Sequence, residues 1–184
     1  MSSSARRQLK MSAHVTESSG RGAGHWILPG LIAGLVFAVW MMTVGIFTRN
    51  PWAPSQGLAQ SVGIGTAGHH FQLVPFIAGL LGHLTGSVAL GAAFIAINRA
   101  LLCLRGPWAV IGGMIWGLVI YAGMVWLVLR GLLSSTSQSF LSATPEWSLI
   151  AGHLMFGAVL GTLIAYGPLR EQNLAPTPGQ LATS

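Results

Sequence analysis

Residues 27–48 read ILPGLIAGLVFAVWMMTVGIFT, an apolar stretch without a charged side chain. Three more apolar stretches follow near 74–97, 108–133 and 148–167, and none of them contains Asp, Glu or Lys. Each is close to the roughly 20 residues that an α-helix needs to cross the hydrocarbon core of a bilayer. The sequence therefore predicts an all-α membrane protein with four transmembrane helices.

The composition excludes an ordinary soluble domain. Charged residues make up 7% of the chain and hydrophobic residues 52%, whereas soluble domains carry about 25% charged residues. The net charge of +6 comes from scattered basic residues without a basic helix face, which argues against nucleic-acid binding. The one cysteine, Cys103, excludes an internal disulfide and a cysteine-based metal cluster.

The predicted organisation is a polar basic tail at 1–25, a membrane domain at 26–167 and a second tail at 168–184. The first tail is expected to be disordered, and segment 49–73 to be a long loop between the first two spans. Both tails and the loop between the second and third spans lie on one side, with seven basic residues: Arg6, Arg7, Lys10, Arg21, Arg99, Arg105 and Arg170. The opposite side holds two, Arg49 and Arg130. Since basic loops stay in the cytoplasm, both termini are predicted to be cytoplasmic.

Comparison of the chain with itself indicates an internal duplication. Residues 30–36, GLIAGLV, match residues 113–119, GMIWGLV, at an offset of 83. The triplet Gly-His-Leu occurs at 82–84 and again at 152–154, an offset of 70. The first two spans and the last two are therefore predicted to be tandem copies of one helical hairpin. Because each copy has two spans, the repeats are parallel, related by a pseudo-two-fold axis along the membrane normal.

Small residues mark the predicted contacts between helices. On an α-helix, residues four positions apart share a face, and small residues on a shared face let membrane helices approach closely. In both copies of the hairpin, small residues recur four positions apart. In the second helix of each copy, they lie on the same face as the histidine. The predicted packing positions are Gly30, Gly34, Ser87, Gly91, Gly113, Gly117, Gly157 and Gly161.

His83 and His153 are the only ionisable side chains well inside the predicted spans, and two interpretations fit them. In the first, each neutral ring binds a neighbouring carbonyl or hydroxyl group and holds the bundle together. In the second, the pair binds a haem or a chlorin. Close approach through small residues favours the first interpretation, because a bis-histidine haem needs its two helices held apart. The expected cofactor is therefore none, with haem or chlorin as the alternative.

A metal site is a further hypothesis for the loops. His69, His70 and Glu146 fall on the same predicted side of the membrane and together could bind copper or zinc. The alternative is that the histidine pair is merely solvated or packed. Because no carboxylate lies within a predicted span and the chain has no Asp, the sequence suggests neither an enzyme nor an ion-coupled transporter.

The duplicated pattern of a Gly-xxx-Gly helix followed by a Gly-His-Leu helix, over about residues 28–167, resembles a set of uncharacterised prokaryotic four-span membrane proteins. The resemblance implies this fold and a prokaryotic plasma membrane, and it brings no activity. The chain is also loosely similar to small accessory subunits of respiratory and photosynthetic complexes, which are short and poor in charge.

The expected function is a non-catalytic integral membrane subunit or scaffold that packs against the lipid bilayer and larger membrane partners. The first alternative is an electron-transfer or pigment subunit that holds a haem or chlorin through His83 and His153. The second is a channel-like protein for small solutes.

Overall fold

The computed structural model describes residues 3–48, 50–65, 70–133, 140–141 and 144–167. These residues form helices joined by short connections. The α-helices are α1 (Ser3–Thr48), α2 (Ala53–Ser61), α3 (Leu73–Ile97), α4 (Pro107–Tyr121) and α5 (Glu146–Tyr166). A π-helical turn at Asn98–Leu102 extends α3, and a longer π-helical segment at Ala122–Leu132 extends α4.

Four helices in the described ranges are long and apolar enough to cross a membrane: Trp26–Thr48, Leu73–Leu102, Pro107–Leu132 and Glu146–Tyr166. They coincide with the four predicted spans within a few residues at each end. The predicted all-α, four-span fold is therefore confirmed. Pro107 stands in the first turn of α4 and Pro145 directly precedes α5, positions where a missing N–H costs no helical hydrogen bond.

Two segments differ from the sequence-based expectation. Helix α1 begins at Ser3, so the disorder expected for residues 1–25 is wrong for most of that tail. Residues 5–11, ARRQLKM, all favour the α-helix, and the helix of the span continues back through them. Segment 49–73, predicted to be a loop, contains α2.

Helix α2 is fixed against the start of α3. A Cβ on Gly79 would collide with the backbone of Ser55, so glycine allows the two helices to touch there. The side chain of Gln56 donates to the carbonyl oxygen of His70 and accepts from the backbone N–H of Gln72, each at 3.3 Å. These hydrogen bonds connect α2 to the segment that leads into α3.

The four spans pack as two hairpins. Helix α1 packs against α3, and α4 packs against α5. Between the hairpins α1 contacts α5, and the indole N–H of Trp40 donates to the carbonyl oxygen of Ser148 at 2.9 Å. Helices α3 and α4 meet near the loop that joins them, where Trp116 donates to the carbonyl oxygen of Leu90 at 3.2 Å. Toward the end of the bundle that carries α2, a cavity lies between α3 and α4.

Small residues lie where the paired helices touch. In the first hairpin, Gly30 of α1 lies against Ser87 and Gly91 of α3, and Gly34 lies against the Ser87 side chain. A Cβ on Gly30 would be 2.6 Å from the carbonyl oxygen of Ser87. Bulkier residues would force these backbones apart, so the small residues set the distance between α1 and α3.

The second hairpin has a similar set of contacts. Gly113 and Gly157 lie backbone to backbone, Gly117 lies against the carbonyl group of His153, and Gly161 lies against Ala109. At offsets of 83 and 70, the pair Gly34 and Ser87 corresponds to Gly117 and Gly157. These matching contacts support the predicted duplication, which stays a prediction.

Candidate functional site

The two intramembrane histidines face the centre of the bundle from different hairpins. The ring of Phe37, on α1, lies between them. Its centroid is 4.9 Å from that of His83 and 4.8 Å from that of His153. Because both imidazoles contact one phenyl ring, they lie at a similar level in the bundle. On its other side His153 packs edge-on against Tyr121, at 5.7 Å between centroids.

Each imidazole binds one backbone carbonyl group. The Nε2 atom of His83 is 3.0 Å from the carbonyl oxygen of Gly34, on the paired helix α1. The Nδ1 atom of His153 is 2.7 Å from the carbonyl oxygen of Leu149, one turn earlier in α5. A carbonyl oxygen only accepts, so each of these nitrogens carries the proton. In a neutral imidazole the second nitrogen then has a free lone pair.

The histidines line a cavity of about 340 Å³. Its walls come from all four spans and from α2. Most lining side chains are apolar, among them Met41, Leu58, Ile120 and Phe156. A cavity with an apolar wall is filled favourably by a molecule of similar polarity.

Two walls of the cavity come from elements that the sequence did not indicate. Leu58 and Ala59 of α2 line the cavity at one end, and Val125 and Leu129 of the π-helical segment line one side. Pro54 near the start of α2 was a usable signal, because proline favours the first turn of a helix. The π-helix, a conformation often found at functional sites, has no sequence signature in the uniformly apolar run that contains it.

Two of the three residues of the hypothetical metal site, His70 and Glu146, lie in the described part of the chain. His69 lies outside the described residues, and His70 is exposed, with Nε2 3.5 Å from the side-chain nitrogen of Gln72. Glu146 accepts a hydrogen bond from the hydroxyl of Tyr121 at 2.6 Å and pairs with Arg130 at 3.3 Å. Among the described residues, no group of three or more His, Cys, Asp or Glu side chains is placed to hold a metal ion.

The interactions of Glu146 have a structural explanation. Tyr121 and Arg130 lie on α4 and its π-helical extension, and Glu146 begins α5. The guanidinium of Arg130 also lies over the ring of Trp126, 4.1 Å from its centroid. This cluster therefore fastens the end of the second hairpin that lies next to the connection between its two helices.

The four spans define the class of the protein, a multi-pass membrane protein whose apolar helix surfaces face lipid. Comparison with protein-family models, with curated proteins and with solved structures gives no match for this chain.

Proposed function

We propose that the protein is a non-catalytic membrane subunit that packs another membrane helix against α3. The observation that carries this proposal is a row of small residues on α3: Gly82, Gly86, Ala89, Ala93 and Ala96. Their spacing alternates between four and three, so they share one helix face. That face is opposite to Ser87 and Gly91, which contact α1, and its residues are exposed or half-buried.

This row differs from the other exposed surfaces of the spans. Exposed positions on α1 and α4 carry large side chains, such as Val39 at 63% and Ile115 at 58% exposure. A Cβ on Gly82 or Gly86 would meet nothing within 4 Å. Small residues bring little contact with lipid chains but permit close backbone packing between helices. The row therefore suits a helix of a partner better than it suits lipid.

Two features support a role without catalysis. The one carboxylate in the four membrane-crossing segments is that of Glu146 in the first turn of α5, and it is paired with Tyr121 and Arg130. Both intramembrane imidazoles use one nitrogen to bind a backbone carbonyl group. No nucleophile with an adjacent base follows from these contacts in the described residues.

The position of Phe37 favours this role over the alternative of a bis-histidine haem. A haem iron would take one nitrogen from each imidazole along a common axis. Phe37 lies between the two rings, within 5 Å of each by centroid. A macrocycle in that space would have to displace the phenyl ring. A visible spectrum of the purified protein tests this alternative, since a Soret band lost in His83→Gln would establish it.

The test of partner packing is purification in mild detergent, followed by sizing and mass spectrometry of co-purifying chains. Ala89→Leu and Ala93→Leu place branched side chains in the row and are expected to release a partner that remains with the wild type. Thr162→Leu, at an exposed position on α5, is the matched control and is expected to retain it. A wild type that purifies alone from its native membrane, or a partner that survives both alanine substitutions, would contradict the proposal.

A further inference from the structure

The cavity combines an apolar wall with a small number of polar groups. Among the described residues that line it, four have polar side chains: Ser55, His83, Ser87 and His153. None of the lining residues is a carboxylate or carries a fixed positive charge. A site of this composition suits a neutral molecule with few hydrogen-bonding groups, because a buried charge without a partner is costly.

The hydrogen bonds of the two imidazoles define which polar groups such a molecule needs. His83 donates through Nε2 to Gly34, so its Nδ1 has the free lone pair. His153 donates through Nδ1 to Leu149, so its free lone pair is on Nε2. Each ring can therefore accept one more hydrogen bond and cannot donate another while it is neutral. The complementary ligand carries two donors.

The size and the mouth of the cavity restrict the ligand further. A cavity of about 150 Å³ holds one benzene molecule, so about 340 Å³ accommodates a substituted aromatic ring. The exposed lining residues are Gly82 on α3, Met124 on the extension of α4, and Val62 and Ile64 after α2. The mouth therefore lies between α3 and α4 at the α2 end, where apolar side chains of the spans are exposed to lipid.

We propose that the cavity binds a membrane-dissolved hydroquinone, whose two hydroxyl groups donate hydrogen bonds to Nδ1 of His83 and Nε2 of His153. The aromatic ring packs beside Phe37, and a substituent chain leaves through the mouth into lipid. The corresponding quinone has only acceptor oxygens, which would face the two lone pairs, so the reduced form binds more tightly. Gly82 and Gly86 of the small-residue row also line the cavity, so a partner helix packed on α3 would border its mouth.

The experiment uses the full chain in lipid nanodiscs with tert-butylhydroquinone as the probe. Calorimetric titration is expected to give one site per chain. The dimethyl ether of the same compound keeps the ring and loses both donors. It is therefore expected to bind at least about tenfold more weakly, the change in affinity that the loss of a hydrogen bond of ordinary strength produces. Equal binding of the two compounds would overturn the proposal, because it would reflect partition into an apolar environment alone.

Two variants locate the site. Leu58→Trp enlarges a side chain on α2 that lines the cavity, and it is expected to abolish binding without altering a spanning helix. His70→Gln changes a histidine that is exposed and does not line the cavity, and it is expected to bind as the wild type does. Unchanged affinity in Leu58→Trp would show that the probe binds elsewhere.

Nitrogen-15 NMR of the wild type tests the histidine contacts without relying on a variant that fails to fold. Before addition, His83 is expected to carry its proton on Nε2 and His153 on Nδ1. The hydroquinone is expected to shift the resonance of the unprotonated nitrogen in both rings. The dimethyl ether is expected to leave both resonances unshifted. Unprotonated nitrogens that do not respond to the hydroquinone would refute the proposed hydrogen bonds.

Discussion

Replacing Gly113 with alanine tests how closely α4 and α5 approach. A Cβ at this position would collide with the carbonyl oxygen of Gly157 and lie 3.0 Å from the backbone nitrogen of Gly161. Both neighbours are backbone atoms of α5 and cannot turn aside as the end of a side chain can. Helices α4 and α5 must therefore separate to accept one methyl group.

The cost follows from the lost contacts. Carbon atoms pack best about 3.5–4.0 Å apart, so the two backbones must separate by roughly 1 Å around Gly113. Overpacking a tight contact in this way costs about 1–3 kcal/mol. For a chain of this length, 1 kcal/mol corresponds to about 2–4 °C in the melting temperature, by the scaling for soluble domains. The expected decrease for Gly113→Ala is about 2–12 °C.

The adjacent residue provides the control. A Cβ on Gly112 would meet the terminal methyl group of Leu104, which can rotate away. Gly112→Ala is therefore expected to change the melting temperature little, or to raise it through the higher helix propensity of alanine. Unfolding is followed in one detergent through tryptophan fluorescence and circular dichroism. If Gly113→Ala melts at or above the temperature of Gly112→Ala, the close backbone contact between α4 and α5 is refuted.

Three further predictions concern topology and single contacts. In intact cells an impermeant thiol reagent is expected to spare Cys103 and to label Val62→Cys made in a cysteine-free background; the opposite pattern would invert the predicted orientation. Trp116→Phe removes the hydrogen bond from α4 to α3 and is expected to cost about 0.5–1.5 kcal/mol in chemical or thermal unfolding, so a loss near zero would show that the bond contributes nothing. Arg130→Gln breaks an ion pair whose side chains are 35% and 48% exposed, so the free energy of unfolding is expected to fall by less than about 1 kcal/mol. A variant that fails to fold would contradict this.

The fold could be read largely from the sequence because membrane spans have a strong signal. A run of about 20 apolar residues without charge has few alternatives to a transmembrane helix, and the four spans lie within a few residues of their predicted bounds. The first span begins at Trp26, next to the predicted boundary, but the disorder expected for residues 1–25 was wrong for most of that tail. The loss of hydrophobicity there ends the span, but the helix continues back through Gly20, Gly22 and Gly24, which have low helix propensity and therefore gave no signal for it.

The candidate site was only half visible in the sequence. His83 and His153 could be singled out because an ionisable side chain is rare in an apolar run. Phe37 could not, because it is one of 7 phenylalanines, and apolar side chains at every position leave no periodicity that indicates which one faces inward. The cavity also depends on the π-helical segment and on α2, whose positions follow from tertiary packing.

The division of the cavity wall between two hairpins has a consequence for biogenesis. Each hairpin joins helices that are neighbours in the chain, so α1 and α3 can associate while α4 and α5 are still being synthesised. His83 belongs to the first hairpin and His153 to the second, and the space between them exists only after the hairpins dock. A molecule that occupies this space therefore stabilises the docked state alone, and added during synthesis it would raise the yield of assembled protein without changing how either hairpin forms.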